Sequence, residues 1–378
     1  MKYYIIAGEP SGDLHGSNLM RGIIKEDDAA QFRFWGGDRM AEVGGAENLD
    51  KHYRDTSFFG IAQVLRNLRK IFGQIAECKR NVEAFDPDVL ILIDYPSFNM
   101  RMAEWAHGKG IRVFYYIAPK VWAWKEFRVK GLRKYVDRLY TIFPFETAYF
   151  RSKGIEPIFM GNPLVDAISQ RRSSLPLRER FAADNGLDFR PIVALLAGSR
   201  RSEIADNLPD MVALARRFPS RQFVVTGVSW IERKLYDDII ADSGVKYVCD
   251  RTYETLNVAE AAVVTSGTAT LETALMNVPE MVLYHVPRIY EFLRPHVLKI
   301  PYISLVNINL GREAVREMVV SHFDADAAAE ELESILEGGC RRQTMLDDFG
   351  QLRAIIGDEG ASERFAKDMT EYLKTVVK

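Results

Sequence analysis

The residues VVTSGTATLETAL, 263–275, combine an apolar run with a turn and a helix start, an arrangement that can hold an anion. The run ends at Ser266 and Gly267, and we expect a helix to begin near Thr268. Backbone amides and the positive end of the helix dipole would then face a ligand phosphate. Glu272 lies one turn further on, where a carboxylate can accept hydrogen bonds from ribose hydroxyls. The alternative interpretation is an ordinary capped helix with Ser266 or Thr268 as its cap.

A second loop of this kind ends the apolar run in LLAGSRRSEI, residues 195–204. Gly198 and Ser199 predict a turn, which leaves Arg200 at the end of a strand. A guanidinium there can bind a phosphate through two parallel hydrogen bonds. The alternative is an exposed arginine that contacts only water.

A carboxylate ends the buried run in LILIDYPSFN, residues 90–99. Asp94 in that position is unfavourable unless it is paired or functional, and Asn99 is placed to orient a ligand. The alternative is that Asp94 only caps the next helix. Asp86 and Asp88 superficially resemble a metal motif, but they precede a strand rather than follow one, so we predict no metal site.

Two further segments combine aromatic rings with cations. Residues 115–138 contain Trp122 and several basic residues, among them Arg128. This pattern fits binding of nucleic acid, binding of an anionic amphiphile, or a solvated basic helix. Residues 56–75 form an amphipathic pattern that predicts either a helix covering a sheet or a surface that touches a membrane. The second interpretation rests on Phe58, Phe59, Arg66, Arg69 and Lys70.

The elements that position these loops are short β-branched or aromatic runs, which alternate with longer amphipathic segments. The predicted strands are residues 3–7, 32–36, 88–94, 112–117, 138–143, 157–161, 191–198, 221–227, 246–250, 261–267 and 280–286. Continuous apolar strands with helices between them predict parallel sheets covered on both faces. Two such series predict an α/β fold with two doubly wound domains, residues 1–170 and 171–345. Residues 346–378 are predicted to be helices that pack back on the first domain.

Composition limits the class of protein. The 378 residues are 47% hydrophobic and 27% charged, and the net charge of −2 does not suggest a nucleic-acid binder. The three cysteines, Cys78, Cys249 and Cys340, fit neither a disulfide framework nor a metal site, which predicts a reducing cytoplasm. We find no signal peptide and no apolar stretch near the ~20 residues that span a bilayer, so surface attachment is the membrane interaction left open.

Taken together, the motifs resemble those of bacterial lipid-A-disaccharide synthases, a family of glycosyltransferases with the GT-B fold. The resemblance covers about residues 3–320 through AGEPSGD, FWGGDRM, LIDYPSFN, APKVWAWKEFRVKGLRKYVDR, FPFE, MGNPLVD, LLAGSRRSEI, SGTATLETAL and LVNINLGREAVREMV. It implies two Rossmann-like domains facing a cleft. It also implies an inverting reaction in which UDP-2,3-diacylglucosamine and 2,3-diacylglucosamine 1-phosphate give the β-1′,6-linked disaccharide 1-phosphate and UDP.

The resemblance also implies roles for particular residues, with no cofactor and no metal. The second domain would bind UDP through Arg200, Ser266, Gly267, Thr268, Ala269, Glu272, Asn307 and Arg312. The first would bind the lipid acceptor through Glu9, Ser11, Gly12, Asn99, Trp122 and Arg128. Asp94 would take the proton from the acceptor 6-hydroxyl. The sequence departs from the usual family pattern at Pro10, Ser97, Asn162, Arg316 and Val320.

Because both implied substrates carry acyl chains, we expect peripheral contact with the inner leaflet of the inner membrane. The oligomeric state stays open, with a homodimer among the alternatives. One rival function is another UDP-sugar enzyme of the same fold, either a UDP-N-acetylglucosamine 2-epimerase or a peptidoglycan-type glycosyltransferase. A second is a non-catalytic binder of nucleotide sugar or lipid. A dinucleotide oxidoreductase is disfavoured because the opening loop, IAGEPSGDLHG, lacks GxGxxG.

Overall fold

The computed structural model describes residues 1–55, 68–123, 125–286 and 301–377. They divide into two compact units, residues 1–167 with 356–378 and residues 168–355. The first division lies within the helix Pro163–Arg172. Phe58, Phe59 and Arg66 lie outside the described residues, as do the side chains of Arg69 and Lys70.

The first unit contains a parallel sheet of seven strands among its described residues, in the order β3-β2-β1-β4-β5-β6-β7. The strands are β1 Lys2–Ala7, β2 Gln31–Gly36, β3 Leu49–His52, β4 Val89–Ile93, β5 Arg112–Tyr116, β6 Arg138–Thr141 and β7 Ile158–Phe159. The helices are α1 Pro10–Glu26, α2 Asp38–Gly44, α3 Leu68–Phe85, α4 Pro96–Gly108, α5 Val129–Tyr135, α6 Pro144–Ser152 and α7 Pro163–Arg172, with α16 Ala361–Val376 at the end of the chain.

The central strand β1 shows why its sequence is apolar at every position. Tyr3 and Ile5 pack into one buried cluster, which includes residues of α1 and α16. Tyr4 and Ile6 point to the other face and pack with residues of α3 and α4. Both faces of the strand are therefore covered, as expected for a parallel sheet.

The last helix, α16, is fixed to the first unit by hydrogen bonds at its beginning. The buried carboxylate of Asp166 accepts from the amides of Gly360, Ala361 and Ser362 at 2.7, 3.2 and 2.8 Å. Such a carboxylate satisfies donors that the helix itself cannot pair. Residues 342–355, which include most of the preceding helix, belong to the second unit.

The second unit contains a parallel sheet of six strands among its described residues, in the order β10-β9-β8-β11-β12-β13. The strands are β8 Ile192–Leu196, β9 Gln222–Gly227, β10 Lys246–Cys249, β11 Ala259–Val264, β12 Glu280–His285 and β13 Glu317–Val320. The helices are α8 Arg178–Asn185, α9 Arg201–Ala215, α10 Arg233–Ile240, α11 Thr252–Val258, α12 Thr268–Leu275, α13 Leu305–Leu310, α14 Ala325–Ile335 and α15 Arg342–Ile356. The predicted doubly wound α/β class is confirmed in both units.

Candidate functional site

Each sheet reverses its strand order once near its centre. In the first unit the reversal falls between β1 and β4, and in the second between β8 and β11. The crevice at the carboxyl ends of two such strands is where open α/β sheets bind ligands. The loops after these four strands are the ones that the sequence analysis singled out, beginning at Gly8, Asp94, Ala197 and Thr265.

In the first unit, the loops after β1 and β4 are in direct contact. A side chain at Gly8 would place its Cβ 2.4 Å from the ring of Tyr95, so only glycine permits this approach. Glu9 is the N-cap residue of α1 and has an extended backbone. Ser11 is exposed at the helix start. Gly12 is buried, and a Cβ there would lie 3.1 Å from the Cβ of Ala7. Glycine at this position therefore allows α1 to pack closely on β1.

The buried carboxylate of Asp13 fixes the next loop, which carries the FWGGDRM motif. It accepts hydrogen bonds from the amides of Gly37, Arg39 and Met40 at 2.8, 3.1 and 3.1 Å. Three donated hydrogen bonds satisfy a buried carboxylate. Asp13 therefore holds the start of α2 against α1.

Asp94 directly follows β4 and has a backbone φ of 41°, and Tyr95 comes next with a φ of 47°. Non-glycine residues adopt this left-handed conformation only when the surroundings enforce it. Here the Asp94 carbonyl accepts from the Asn99 amide at 2.8 Å and from the Tyr115 hydroxyl at 2.7 Å. Burial raises the pKa of the Asp94 carboxyl, while Lys120 and the Tyr95 amide act in the opposite direction. A carboxylate of this kind is suited to accept a proton.

Asn99 is completely buried and is the principal support of Asp94. Its amide nitrogen donates to the carbonyls of Ile93 at 3.1 Å and Asp94 at 2.8 Å. The structure thus places Asn99 behind the catalytic candidate. Its predicted contact with the acceptor stays a prediction.

Trp122 leads to a carboxyl for which the sequence analysis gave no role. The indole nitrogen donates to Glu146 at 3.0 Å, and the ring packs edge to face on Phe145. Glu146 also accepts from the amides of Ile142 and Phe143, both at 3.2 Å. Burial raises the pKa of Glu146 to about 7, with these hydrogen bonds and Lys120 acting against the rise. The sequence signal that could have identified Glu146 is its place in FPFE, three residues after the N-cap of a helix.

Arg128 lies close to the Asp94 loop. Its guanidinium donates to the Ser97 hydroxyl at 3.0 Å, beside the start of α4. Lys125 is nearby, and its pKa is lowered by burial and by the charge of Arg128. Two cations held close together favour an anion in front of them.

In the second unit, the structure brings together two motifs that are distant in the sequence. The Ser266 hydroxyl donates to the Ile303 carbonyl at 2.9 Å, and the Leu305 amide donates to the Thr270 hydroxyl at 3.3 Å. The SGTATLE loop therefore lies against the LVNINLG segment. A Cβ at Gly267 would meet nothing within 4 Å, so the described residues leave that side of the loop open. Thr268 and Ala269 form the first turn of α12.

Asn307 and Arg312 are both engaged by protein groups. Asn307 is buried, and its side chain accepts from the amides of Ala314 and Val315 at 2.7 and 3.0 Å. Its amide nitrogen donates to Val315 and Glu317 at 2.8 and 2.9 Å. Arg312 pairs with Asp348 through two bonds of 2.8 and 2.6 Å. These contacts stabilise the segment around the loop, and direct contact with a donor stays a prediction.

Arg200 is the N-cap residue of α9, and its side chain is 62% exposed. The guanidinium pairs with Glu203 at 2.7 Å. The preceding carbonyl, that of Ser199, accepts from the exposed indole of Trp230 at 3.0 Å. Arg200 is therefore accessible at the carboxyl end of β8.

Glu272 has a partner that the sequence analysis missed. The buried Tyr253 donates its hydroxyl to Oε1 of Glu272 at 2.5 Å. Burial raises the pKa of Glu272, while Tyr253 and the charge of Arg171 lower it. Tyr253 lies 19 residues before Glu272 on another helix, and no motif marks it.

In the described parts of the chain, no group of three or more His, Cys, Asp or Glu side chains could hold a metal ion.

Two doubly wound parallel sheets, each with polar loops at its switch point, define a protein of the GT-B class. Solved structures agree: a UDP-GlcNAc 2-epimerase from Neisseria meningitidis bound to UDP-GlcNAc matches with a TM-score of 0.70 and 13% identity, covering 98% of this chain and 100% of the other. The spinosyn rhamnosyltransferase SpnG matches with a TM-score of 0.59 and 12% identity, covering 98% and 100%. At such identities the similarity shows the fold alone.

Sequence comparisons are more specific. The family model of lipid-A-disaccharide synthetase matches residues 3–364. A lipid-A-disaccharide synthase from Geobacter metallireducens is 36% identical over 377 residues, which are 98% of this chain and 96% of that protein. One from Coxiella burnetii is 32% identical over 369 residues, 96% of each. The chain belongs to the lipid-A-disaccharide synthase family, and the predicted resemblance is confirmed. It is accordingly an enzyme of the glycosyltransferase type.

Proposed function

We propose that the chain transfers 2,3-diacylglucosamine from its UDP derivative to the 6-hydroxyl of 2,3-diacylglucosamine 1-phosphate. The observation that carries the proposal is membership of the family over nearly the whole chain. The two switch points support it, because one carries a carboxyl with a raised pKa and the other carries an open loop at a helix start.

In this reaction the acceptor oxygen attacks C1 of the donor sugar as the bond from C1 to the diphosphate breaks. Asp94 takes the proton from the attacking hydroxyl, and UDP leaves with the bonding electrons. One displacement of this kind inverts an α-linked donor to a β-linked product. Asn99 acts through Asp94, because it fixes the backbone that presents the carboxylate.

For the donor, we assign phosphate binding to Arg200 and to the backbone of residues 266–269. The helix start and the guanidinium stabilise the charge that develops on UDP. Glu272 accepts from the ribose hydroxyls. Asn307 and Arg312 keep the adjoining segment in place.

For the acceptor, we assign contacts to the α1 loop, Trp122 and Arg128. Glu9, Ser11 and Gly12 border the loop that touches Tyr95. Arg128, fixed to Ser97, offers a cation to the acceptor phosphate.

Peripheral contact with a membrane is a further part of the proposal. Phe72 of α3 is 56% exposed, with the Arg101 guanidinium 5.0 Å from its ring centroid. Lys79 lies 5.7 Å from the ring centroid of Trp105, on the adjoining surface. An exposed ring with neighbouring cations suits the headgroup region of an anionic leaflet. No helix of the described ranges is both long and apolar enough to cross a membrane.

The test is purified full-length chain with both lipid substrates, followed by mass spectrometry of the product and measurement of UDP release. We expect a disaccharide 1-phosphate and one UDP per product. UDP release without disaccharide, or epimerisation of UDP-N-acetylglucosamine, would replace the proposal with the rival UDP-sugar enzyme. Binding of both substrates with no reaction would indicate a non-catalytic binder.

The membrane contact is tested separately by flotation with anionic liposomes at low and high salt. Phe72→Ser with Arg101→Ser should weaken flotation and leave the melting temperature nearly unchanged. Undiminished flotation of this variant would exclude the surface of α3 and α4 as the contact.

A further inference from the structure

Two residues outside the donor motifs converge on Glu272. Tyr253 of α11 donates its hydroxyl to Oε1 of Glu272, and its ring is almost completely buried. The Arg171 guanidinium of α7 lies over that ring, 4.6 Å from the centroid. The three side chains form a short chain of contacts within the second unit.

Each contact has a chemical consequence for the next. A cation on the face of a phenol ring is held by the ring electrons, and it withdraws electron density from the ring. The hydroxyl therefore becomes a stronger donor to the carboxylate. A hydrogen bond from a neutral donor to a charged acceptor is among the stronger bonds in proteins.

The bond also fixes the orientation of the carboxylate. Tyr253 uses Oε1, which leaves Oε2 as the atom to accept from a ligand hydroxyl. The half-buried carboxyl would otherwise tend to bind a proton, because burial raises the pKa of Glu272. The Tyr253 hydroxyl and the Arg171 charge oppose that tendency. A protonated carboxyl would lose much of its strength as an acceptor.

We propose that Tyr253 and Arg171 are positioning residues that hold Glu272 for the vicinal hydroxyls of a nucleoside diphosphate, and so set its selectivity for ribose. This inference rests on the proposed function, in which Glu272 contacts the donor ribose. A purely structural role for Tyr253 would affect the stability of α11 and α12 and would leave selectivity among nucleotides unchanged.

The test is calorimetry of the full-length chain with UDP and with 2′,3′-dideoxy-UDP. In the wild type we expect tighter binding of UDP. Tyr253→Phe keeps the ring beneath Arg171 and removes only the hydroxyl. It should weaken UDP binding roughly 3- to 10-fold and leave dideoxy-UDP binding nearly unchanged.

The dependence on pH provides a second readout. If the ionised carboxylate binds ribose, UDP affinity falls as the pH drops through the pKa of Glu272. Removing the Tyr253 hydroxyl removes a group that lowers this pKa, so the fall should begin at a higher pH in Tyr253→Phe. Arg171→Met should shift UDP affinity in the same direction by a smaller factor.

Tyr247 offers a matched control in the same unit. It also has an arginine over its ring, Arg233 at 5.1 Å, but it lies on the edge strand β10. Tyr247→Phe should retain the wild-type preference for UDP. An equal loss for both nucleotides in Tyr253→Phe would indicate a structural role and overturn the inference.

The outcomes also separate this inference from the donor assignment. If Glu272→Gln weakens UDP binding while Tyr253→Phe and Arg171→Met do not, the positioning pair is wrong and the donor site stands. If Glu272→Gln leaves UDP binding unchanged, both the donor assignment and the positioning pair are wrong. Thermal unfolding of each variant shows whether the fold is retained.

Discussion

The two units share the strand order around their switch points but carry different side chains there. In the first unit, Asp94 and Glu146 have carboxyl pKa values raised by burial, and both lie near Lys120. In the second, the corresponding edge carries hydroxyls, a glycine loop, Arg200 paired with Glu203, and Glu272 with Tyr253 as its hydrogen-bond donor. The first edge therefore combines a proton acceptor with nearby cations, whereas the second combines an open helix start with Arg200. The topology therefore determines where a ligand can bind, while the residues after each strand determine the chemistry.

The largest expected effect comes from removing the carboxylate of the first unit. Asp94→Asn should lower kcat roughly 10²- to 10⁴-fold, the usual contribution of a positioned base. UDP affinity should not change, because the nucleotide is assigned to the second unit. Turnover with both lipid substrates and calorimetry with UDP measure the two quantities.

Asp86 provides the control, since it also has a left-handed backbone, with a φ of 52°, but precedes β4. Asp86→Asn should keep wild-type turnover. The wild-type kcat should fall with decreasing pH through a pKa above the ordinary aspartate value of 3.8, because burial raises the pKa of Asp94. Near-normal turnover of Asp94→Asn would remove Asp94 from the mechanism and with it the contrast between the units.

The second largest effect concerns the edge of the second unit. Arg200→Ala should weaken UDP binding roughly 10- to 100-fold, because a hydrogen bond between charged groups is lost. Acceptor binding should barely change. Calorimetry with UDP is the measurement, and Arg201→Ala is the control, since Arg201 is an exposed neighbour paired only loosely with Glu232 at 3.9 Å. Equal losses in the two variants would mean that the charge of the loop matters rather than the position of Arg200.

A smaller effect is expected from the support of Asp94. Asn99→Ala removes two hydrogen bonds to the carbonyls that end β4, so the strained backbone should relax. We expect kcat to fall about 10-fold with unchanged UDP affinity. Asn185 makes a comparable bond to the Phe181 carbonyl in the second unit, so Asn185→Ala is the matched control. A loss of UDP affinity in Asn99→Ala would contradict the separation of the two edges.

Much of the fold follows from the sequence, with two short strands as exceptions. Each of the eleven predicted strands is present. Most residues of the central strands are apolar and buried, whereas the edge strands β7 and β10 are less buried. The strands Leu49–His52 and Glu317–Val320 were missed. Both lie at the edge of a sheet and are only half-buried. Leu49–His52 is mostly polar, and Glu317–Val320 offers a run of only three apolar residues.

The candidate site was predictable where chemistry follows a strand directly in the sequence. Asp94, Arg200 and Ser266 were predicted in this way, and the structure places each of them after a strand beside a switch point. Their roles stay predictions. Tyr253 and Arg171 could not be found, because they reach Glu272 only through packing of separate helices. The motif around Asn307 was visible in the sequence. That both atoms of its side-chain amide form hydrogen bonds with protein groups was not.

The smallest expected effect contrasts the two ends of the second sheet. Glu272 lies at the carboxyl end with Tyr253 as donor, whereas Glu280 begins β12 at the opposite end. Both carboxyl oxygens of Glu280 are buried, and no group among the described residues bonds to them. Burial alone raises the pKa of Glu280 well above 4.5, so the folded chain favours the neutral form. Stability linked to this group is therefore fully present below the unfolded pKa. It is lost as the pH rises from there through the raised folded pKa.

Glu280→Gln should accordingly stabilise the fold at neutral pH, by roughly 1–3 kcal/mol, because a buried group that prefers to be neutral no longer has to ionise or hold its proton. The gain should shrink as the pH approaches 4.5, where the wild-type carboxyl is protonated in both states. Thermal unfolding between acidic and neutral pH measures it, with the exposed Glu330→Gln as control. Turnover and UDP affinity should stay at wild-type values, since the amino ends of the strands take no part in binding. Destabilisation by Glu280→Gln at neutral pH would show that the carboxylate has a hydrogen-bond donor or a cation as partner in the folded chain. The contrast between Glu272 and Glu280 would then be wrong.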